Sequence, residues 1–333
     1  MDGIKVGVVG VGQMGTYHAE IYKKLPQADL ISLCEFNDER REQLKDEFPG
    51  VKLFKDYHEM LADPELEAVS IVLPDNMHRD AVEVAVANGK HILLEKPLAK
   101  ELSDGEAMYE LLKDYDKVFT TGFLLRFDPR FAMIKERLEA GELGDIVHCY
   151  VRRNSPIIGP RRYIGHSDLS MHVMIHDIDY LNWWIGSKPV KVIAKNRSVM
   201  LKEYGMNDVI YALVTYENGV VACLEACWTL PETSPTIIDD IVELVGTKGV
   251  AYVDACDKGV RFVTSEKVEY PDSRHWYHCN GELCGDLAEE VTAFINNIVT
   301  GTKSIITPEQ SLDALKVVDA IERSIAAGAE GEL

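Results

Sequence analysis

Positive charge is what this sequence has least of for its size. It carries 35 Lys and Arg against 55 Asp and Glu, a formal net charge of −20. Nucleic acids and anionic membrane surfaces are bound through cationic patches, so neither is expected as a partner. No apolar run is long enough to span a bilayer, so no membrane association is expected. There is no CxxC pair. The seven cysteines (34, 149, 223, 227, 256, 279 and 284) are odd in number and lack a ligand set for structural zinc. They read as reduced thiols of a cytoplasmic protein. Met1-Asp2-Gly3-Ile4-Lys5 leads straight into a strand without a signal-peptide pattern, in keeping with that compartment. Internal repeats, low-complexity tracts and long linkers are also missing.

What is present is an ordinary globular composition, 46% hydrophobic and 27% charged over 333 residues, enough for about two domains. Up to residue 122, short apolar strands alternate with amphipathic helices, which predicts a doubly wound parallel sheet of the Rossmann type. From 123 to 333 the strands are longer, more alternating and joined by turns such as Glu217-Asn218-Gly219. That predicts an α+β domain on a large, mostly antiparallel open sheet. A helix over about His172–Ile185 precedes most of those strands. A last helix starts with Thr307 as N-cap, Pro308, then Glu309 and Gln310, and it is expected to pack back on the first domain.

Three groups of residues carry the chemistry. Glu95-Lys96-Pro97 follows the apolar run His91-Ile92-Leu93-Leu94. A lysine at the end of a buried strand must be desolvated, paired or used, and strand C-termini line the ligand crevice of such sheets. Gly10-Val11-Gly12-Gln13-Met14-Gly15 follows a strand and opens a helix. Its G-x-G-x-x-G spacing allows a tight turn, close approach to a pyrophosphate and close helix–strand packing, with the phosphates at the helix N-terminus. Glu35 ends the second strand, where a carboxylate accepts from ribose hydroxyls and repels a 2′-phosphate, so NAD is expected over NADP. Arg40 and Arg41 could reach a 2′-phosphate or pair with helix carboxylates. Pro74 and His78, on the segment leaving the next central strand, should border the nicotinamide half, with His78 structural rather than chemical. The third group is a run from His166 to Tyr180 containing Asp168, His172, His176, Asp177 and Asp179. As a helix it places 172, 176, 179 and 180 on one polar, cleft-lining face and 174, 178, 181 and 185 on a core face. Zinc held by the histidines with Asp168 or His166 is disfavoured, because Lys96 can supply the positive charge.

Together these motifs resemble the glucose-fructose oxidoreductase / inositol dehydrogenase / MocA family. Smaller echoes are Gly89-Lys90-His91, Arg126-Phe127-Asp128-Pro129-Arg130-Phe131 and Leu143-Gly144-Asp145-Ile146. The resemblance implies an NAD-dependent oxidoreductase acting on a secondary hydroxyl of a sugar, glycoside or cyclitol. It also implies a homodimer or homotetramer built through the second domain's sheet. Carried over position by position, Lys96 matches the catalytic lysine and His176 the catalytic histidine. The family commonly has aspartate four residues before that histidine, where this chain has His172. His176 would then act as general base and Lys96 as hydrogen-bond donor to the reacting oxygen, with Glu95 orienting the lysine. A neutral His172 would not stabilise an imidazolium at His176, whereas Asp177 or Asp168 would restore the carboxylate. Arg126, Arg130, Tyr163 and Trp276 are further candidate substrate contacts. The alternatives are a redox-neutral sugar-modifying enzyme that uses NAD transiently, or a non-catalytic NAD sensor.

Overall fold

The computed structural model describes residues 3–162, 164–165, 167–254 and 259–333. Two compact units divide the chain, residues 1–124 with 275–312 and residues 125–274 with 313–333. Among the described residues, no helix is long and apolar enough to cross a membrane.

The first unit is built on β1 (Ile4–Val9), α1 (Gln13–Lys24), β2 (Ala28–Cys34), α2 (Asp38–Glu47), β3 (Lys52–Phe54), α3 (Tyr57–Leu61), β4 (Ala68–Ile71), α4 (His78–Ala87), β5 (His91–Glu95), α5 (Leu102–Leu112) and β6 (Phe119–Gly122). Its six strands pair in parallel in the order β3-β2-β1-β4-β5-β6. β4 is buried at every residue and β5 at all but its first, as expected for strands covered on both faces. Order reverses between β1 and β4, which opens a crevice at their C-terminal ends. Helix α1 buries Gly15, His18, Ala19 and Tyr22, the three- and four-residue spacing of an amphipathic face.

The second unit contains α6 (Pro129–Glu139), β7 (Ile146–Pro156), α7 (Ile175–Ile185), β8 (Pro189–Arg197), β9 (Val209–Tyr216), β10 (Val221–Leu230), β11 (Asp239–Gly246), β12 (Val250–Asp254) and a small hairpin of β13 (Phe262–Val263) and β14 (Val268–Glu269). The hairpin β15 (Tyr277–Cys279), β16 (Glu282–Cys284) and helix α8 (Asp286–Thr300) return to the first unit. Their attachment is apolar, since Leu287, Val291, Phe294 and Ile295 share one buried cluster with Val8, Tyr22 and Leu93. Helix α9 (Pro308–Ala327) and β17 (Gly331–Glu332) end the chain. The start of α9 is a capping box. The Gln310 N–H donates to Thr307 Oγ1 at 3.3 Å and the Thr307 N–H donates to Gln310 Oε1 at 3.2 Å.

The second sheet has seven strands in the order β12-β11-β7-β10-β9-β8-β17. It is antiparallel except for the β7–β10 pair. The Asn218-Gly219 turn joins β9 to β10, with Gly219 at φ +87°. One face is covered. On the other, Ile193, Leu213, Cys223, Tyr150, Glu243 and Tyr252 follow one another across six strands, with Tyr252 71% exposed.

Candidate active site

The first unit gathers the candidate dinucleotide residues at the C-terminal ends of its strands. Gly10 leaves β1 at φ +85°, and a Cβ there would sit 2.3 Å from the Val72 carbonyl oxygen. At Gly15 a Cβ would lie 1.9 Å from the Gly10 carbonyl oxygen, so helix and turn pack without a side chain between them. A Cβ on Gly12 would meet nothing within 4 Å. Gly12 is also the N-cap of α1 and places no side chain over the helix end, so the first N–H groups face outward toward an anion. Gln13 is exposed and bonds Tyr17 at 3.2 Å, whereas Met14 packs against the core cluster. Residues with these properties fit a dinucleotide's pyrophosphate. Replacing Gly12 with valine should therefore leave thermal stability unchanged and weaken cofactor binding ~10-fold or more. Calorimetric titration checks this, and unchanged affinity would remove the turn from the binding site.

Glu35 is braced by backbone donors. Its Oε2 accepts from the Val11 N–H at 3.0 Å and its Oε1 from the Asn37 N–H at 2.9 Å. The neighbouring arginines are occupied. Arg40 binds Glu47, the Val11 carbonyl and Thr16, while Arg41 binds Asp38 and the Glu35 carbonyl. Their charges are therefore turned toward protein partners rather than a 2′-phosphate. Pro74 is exposed and caps the short turn Asp75–Met77. His78 is enclosed, with Nδ1 2.9 Å from the Pro97 carbonyl oxygen and Nε2 2.9 Å from that of Leu73. It ties the loop after β4 to the loop after β5, a structural role.

Lys96 follows the last residue of β5, is half-buried, and precedes a cis peptide to Pro97. Burial pulls its ammonium below the usual lysine range, while the carboxylates of Glu95 and Asp75 push the other way. Trp276, returned to this unit, is half-buried and packs against the core cluster.

In the second unit the histidine segment is not one regular helix. Ser170–Met174 forms a π turn, in which the Ile175 N–H bonds the Ser170 carbonyl, and α7 begins only at Ile175. Such turns shift side chains from their α-helical phase. His172 and His176 are half-buried, but Asp179 and Tyr180 are not on an open face with them. Asp179 is 1% and Tyr180 0% exposed, so the expected four-residue polar face is reduced to the histidines. The core face is as expected, with Met174, Ile178, Leu181 and Ile185 all buried.

The carboxylates around the histidines have other work. Asp179 takes a bidentate pair from Arg126, at 2.8 Å from Nε and 2.7 Å from the terminal nitrogen. Arg126, offered by the sequence as a substrate contact, is thus enclosed with its fork on Asp179, over the ring of Trp183 at 5.3 Å. Arg130 similarly folds onto Asp128, the N-cap of α6. Asp177 binds Arg153 at 2.8 Å. Asp168 accepts from the Leu169 N–H at 2.7 Å and from Asn207 Nδ2 at 2.7 Å. Asn207 in turn accepts from Trp228 Nε1, and the His172 ring lies 6.4 Å from that of Trp228. Asp168 therefore braces the wall behind His172. Tyr163 and His166 lie outside the described residues.

Sequence reasoning missed three arrangements: the π turn, the Arg153 cluster, and the partners of Glu95, which are His18 and the Lys96 backbone N–H. Only the last had a local signal, the glutamate beside the lysine.

Comparison with known proteins gives the family and the fold. Residues 4–123 match an oxidoreductase family with an NAD-binding Rossmann fold, and residues 131–252 match the GFO/IDH/MocA C-terminal domain. The chain is 28% identical over 326 residues to the myo-inositol 2-dehydrogenase of Thermotoga maritima, covering 97% of this chain and 96% of the relative. It is 31% identical over 255 residues to the scyllo-inositol 2-dehydrogenase (NAD(+)) of Bacillus subtilis, covering 75% and 73%. The apo scyllo-inositol dehydrogenase structure from Lactobacillus casei superposes with a TM-score of 0.87 at 26% identity, covering 99% of this chain and 98% of that one.

Proposed function

Because this chain belongs to the glucose-fructose oxidoreductase / inositol dehydrogenase / MocA family of oxidoreductases, we propose that it oxidises a secondary hydroxyl of a cyclitol of the inositol type. The carrying observation is Lys96, held half-buried at the end of β5, in the same sheet whose first strand ends in the Gly10–Gly15 turn. The inositol activities named for the relatives from Thermotoga maritima and Bacillus subtilis support the substrate class.

The Gly10–Gly15 turn and the α1 N-terminus would hold the pyrophosphate of NAD, and Glu35 its ribose; the bound cofactor would supply the hydride acceptor for the carbinol carbon. Lys96 donates a hydrogen bond to the reacting oxygen and stabilises its developing negative charge. His176 takes the hydroxyl proton as general base. His172, with Asp168 bracing the wall behind it, contacts the ring hydroxyls, and Trp276 offers an aromatic surface to the ring. No step requires a metal ion. The row Ile193, Leu213, Cys223, Tyr150, Glu243 and Tyr252 supports association with a second copy through the open sheet face. The reduced-thiol reading keeps the cytoplasm as the compartment.

The test is a panel of myo- and scyllo-inositol, hexoses, amino-sugar nucleotides and aryl glycosides with NAD or NADP, following absorbance of the reduced cofactor. An inositol with NAD should give stoichiometric NADH. Turnover without net NADH would replace this reading with redox-neutral sugar modification. Absence of hydride transfer across the panel would favour an NAD sensor.

A further inference from the structure

Glu95 is buried beside the lysine, and it is met by a side chain from another element of the same unit. Its Oε1 lies 3.3 Å from Nε2 of His18 on α1, and its Oε2 accepts from the Lys96 backbone N–H at 3.2 Å. His18 Nδ1 lies 3.0 Å from Ser70 Oγ on β4. Ser70 Oγ lies 2.7 Å from the hydroxyl of Tyr22, one turn beyond His18 on α1. His18, Ser70 and Tyr22 are all 0% exposed. Opposite Glu95 on β6 stands Gly122, where a Cβ would come within 3.3 Å of the carboxylate carbon. The glycine leaves the slot that the carboxylate fills.

One assignment of hydrogens satisfies every group in this row. Tyr22 donates to Ser70, Ser70 donates to His18 Nδ1, and the His18 Nε2–H donates to Glu95. Burial raises the Tyr22 hydroxyl pKa, Ser70 partly opposes this and Glu290 on α8 adds to it, so Tyr22 keeps its proton. At the far end, burial would raise the Glu95 pKa. The His18 hydrogen bond and the lysine beside it outweigh this and leave the net shift downward. Four enclosed polar groups are a costly way to fill space, since a buried donor or acceptor left unpaired is destabilising. Their chain ends at the residue adjoining Lys96.

We infer that Tyr22, Ser70, His18 and Glu95 form a positioning chain for Lys96, anchoring a carboxylate at the root of the lysine so that its ammonium is retained during turnover. The inference rests on the role proposed above for Lys96. Asp75, from the turn after β4, is a further carboxylate acting on Lys96. It works in the same sense as Glu95, and burial works against both. Neither His18 nor Glu95 needs to touch substrate.

The experiment follows the 13Cε resonance of Lys96 against pH in the full, cofactor-free chain labelled with [13Cε]lysine. Its signal is assigned by its absence in Lys96→Met. Glu95→Gln should lower the pH at which Lys96 titrates by ~1 unit or more. His18→Leu should lower it in the same direction, and Ser70→Ala by less. His18→Gln, which keeps a donor for the carboxylate, should restore most of the wild-type value. The alkaline limb of kcat/KM should move with the resonance. Ser70→Ala and His18→Gln carry the test if His18→Leu fails to fold. An unmoved resonance in Glu95→Gln overturns the inference. So does a shift in Glu95→Gln that neither folded His18→Leu nor Ser70→Ala reproduces. The titration needs no substrate, so shifts seen with no polyol oxidised would refute the activity alone.

Discussion

Lys96→Met should lower kcat/KM by ~10³-fold, the scale of removing a donor to a developing oxyanion, while cofactor affinity stays within ~2-fold. Methionine keeps an unbranched apolar stem and removes only the ammonium, so the loss reports charge rather than packing. The cofactor contacts proposed above come from the Gly10–Gly15 turn that follows β1 and from Glu35, which follows β2. The wild-type pH profile carries a second signature. Burial lowers the Lys96 pKa, the donor must be protonated, and activity is therefore lost as pH rises through that lowered value. The alkaline limb should lie below the ordinary lysine range and be absent from the residual activity of Lys96→Met. Steady-state kinetics across pH checks both. A Lys96→Met enzyme retaining a tenth of wild-type kcat/KM would remove the lysine from the mechanism.

Arg153→Ala should be the most destabilising single change in the second unit, at about 3–5 kcal/mol. The Arg153 side chain is 8% exposed, and it pairs with Asp177 and Asp240, each 1% exposed. Without the guanidinium, two enclosed carboxylates would face each other uncompensated. Burial pushes the Asp177 pKa up to about 7, Arg153 opposes this and Asp240 adds to it. The sign of the pH dependence follows. A carboxyl raised in the folded state binds a proton that the unfolded chain releases. Its stabilising contribution is full below about 4 and is lost as pH rises toward about 7. Asp177→Asn should flatten that slope. Replacing all three residues by apolar ones of similar volume should cost less than Arg153→Ala alone. Chemical denaturation at a series of pH values measures each. A midpoint unchanged in Arg153→Ala would show the cluster contributes nothing.

Much of this was legible from residue order because it is local. The apolar runs of β4 and β5, the glycines at 10, 12 and 15, and Thr307-Pro308-Glu309-Gln310 each act through neighbours a few positions away. The histidine segment was legible only in part. Its core face followed from helical spacing, but the π turn at Ser170–Met174 altered the phase, and periodicity carries no sign of such a turn.

Composition and local pattern therefore settled the class of fold, the dinucleotide turn and the lysine at the strand end, because short-range sterics and burial period specify them. Which charged side chains stay open was settled by long-range pairing. Arg126 became an ion pair because Asp179, 53 positions away, meets it in an enclosed site where both charges must be matched. Glu95 gained His18 from 77 positions away because α1 packs across the strand that β4 and β5 extend. Residues 275–312 joined the first unit because the apolar face of α8 completes that unit's core. Burial is a property of the assembled fold, and it decides which carboxylate, histidine or arginine is left for chemistry.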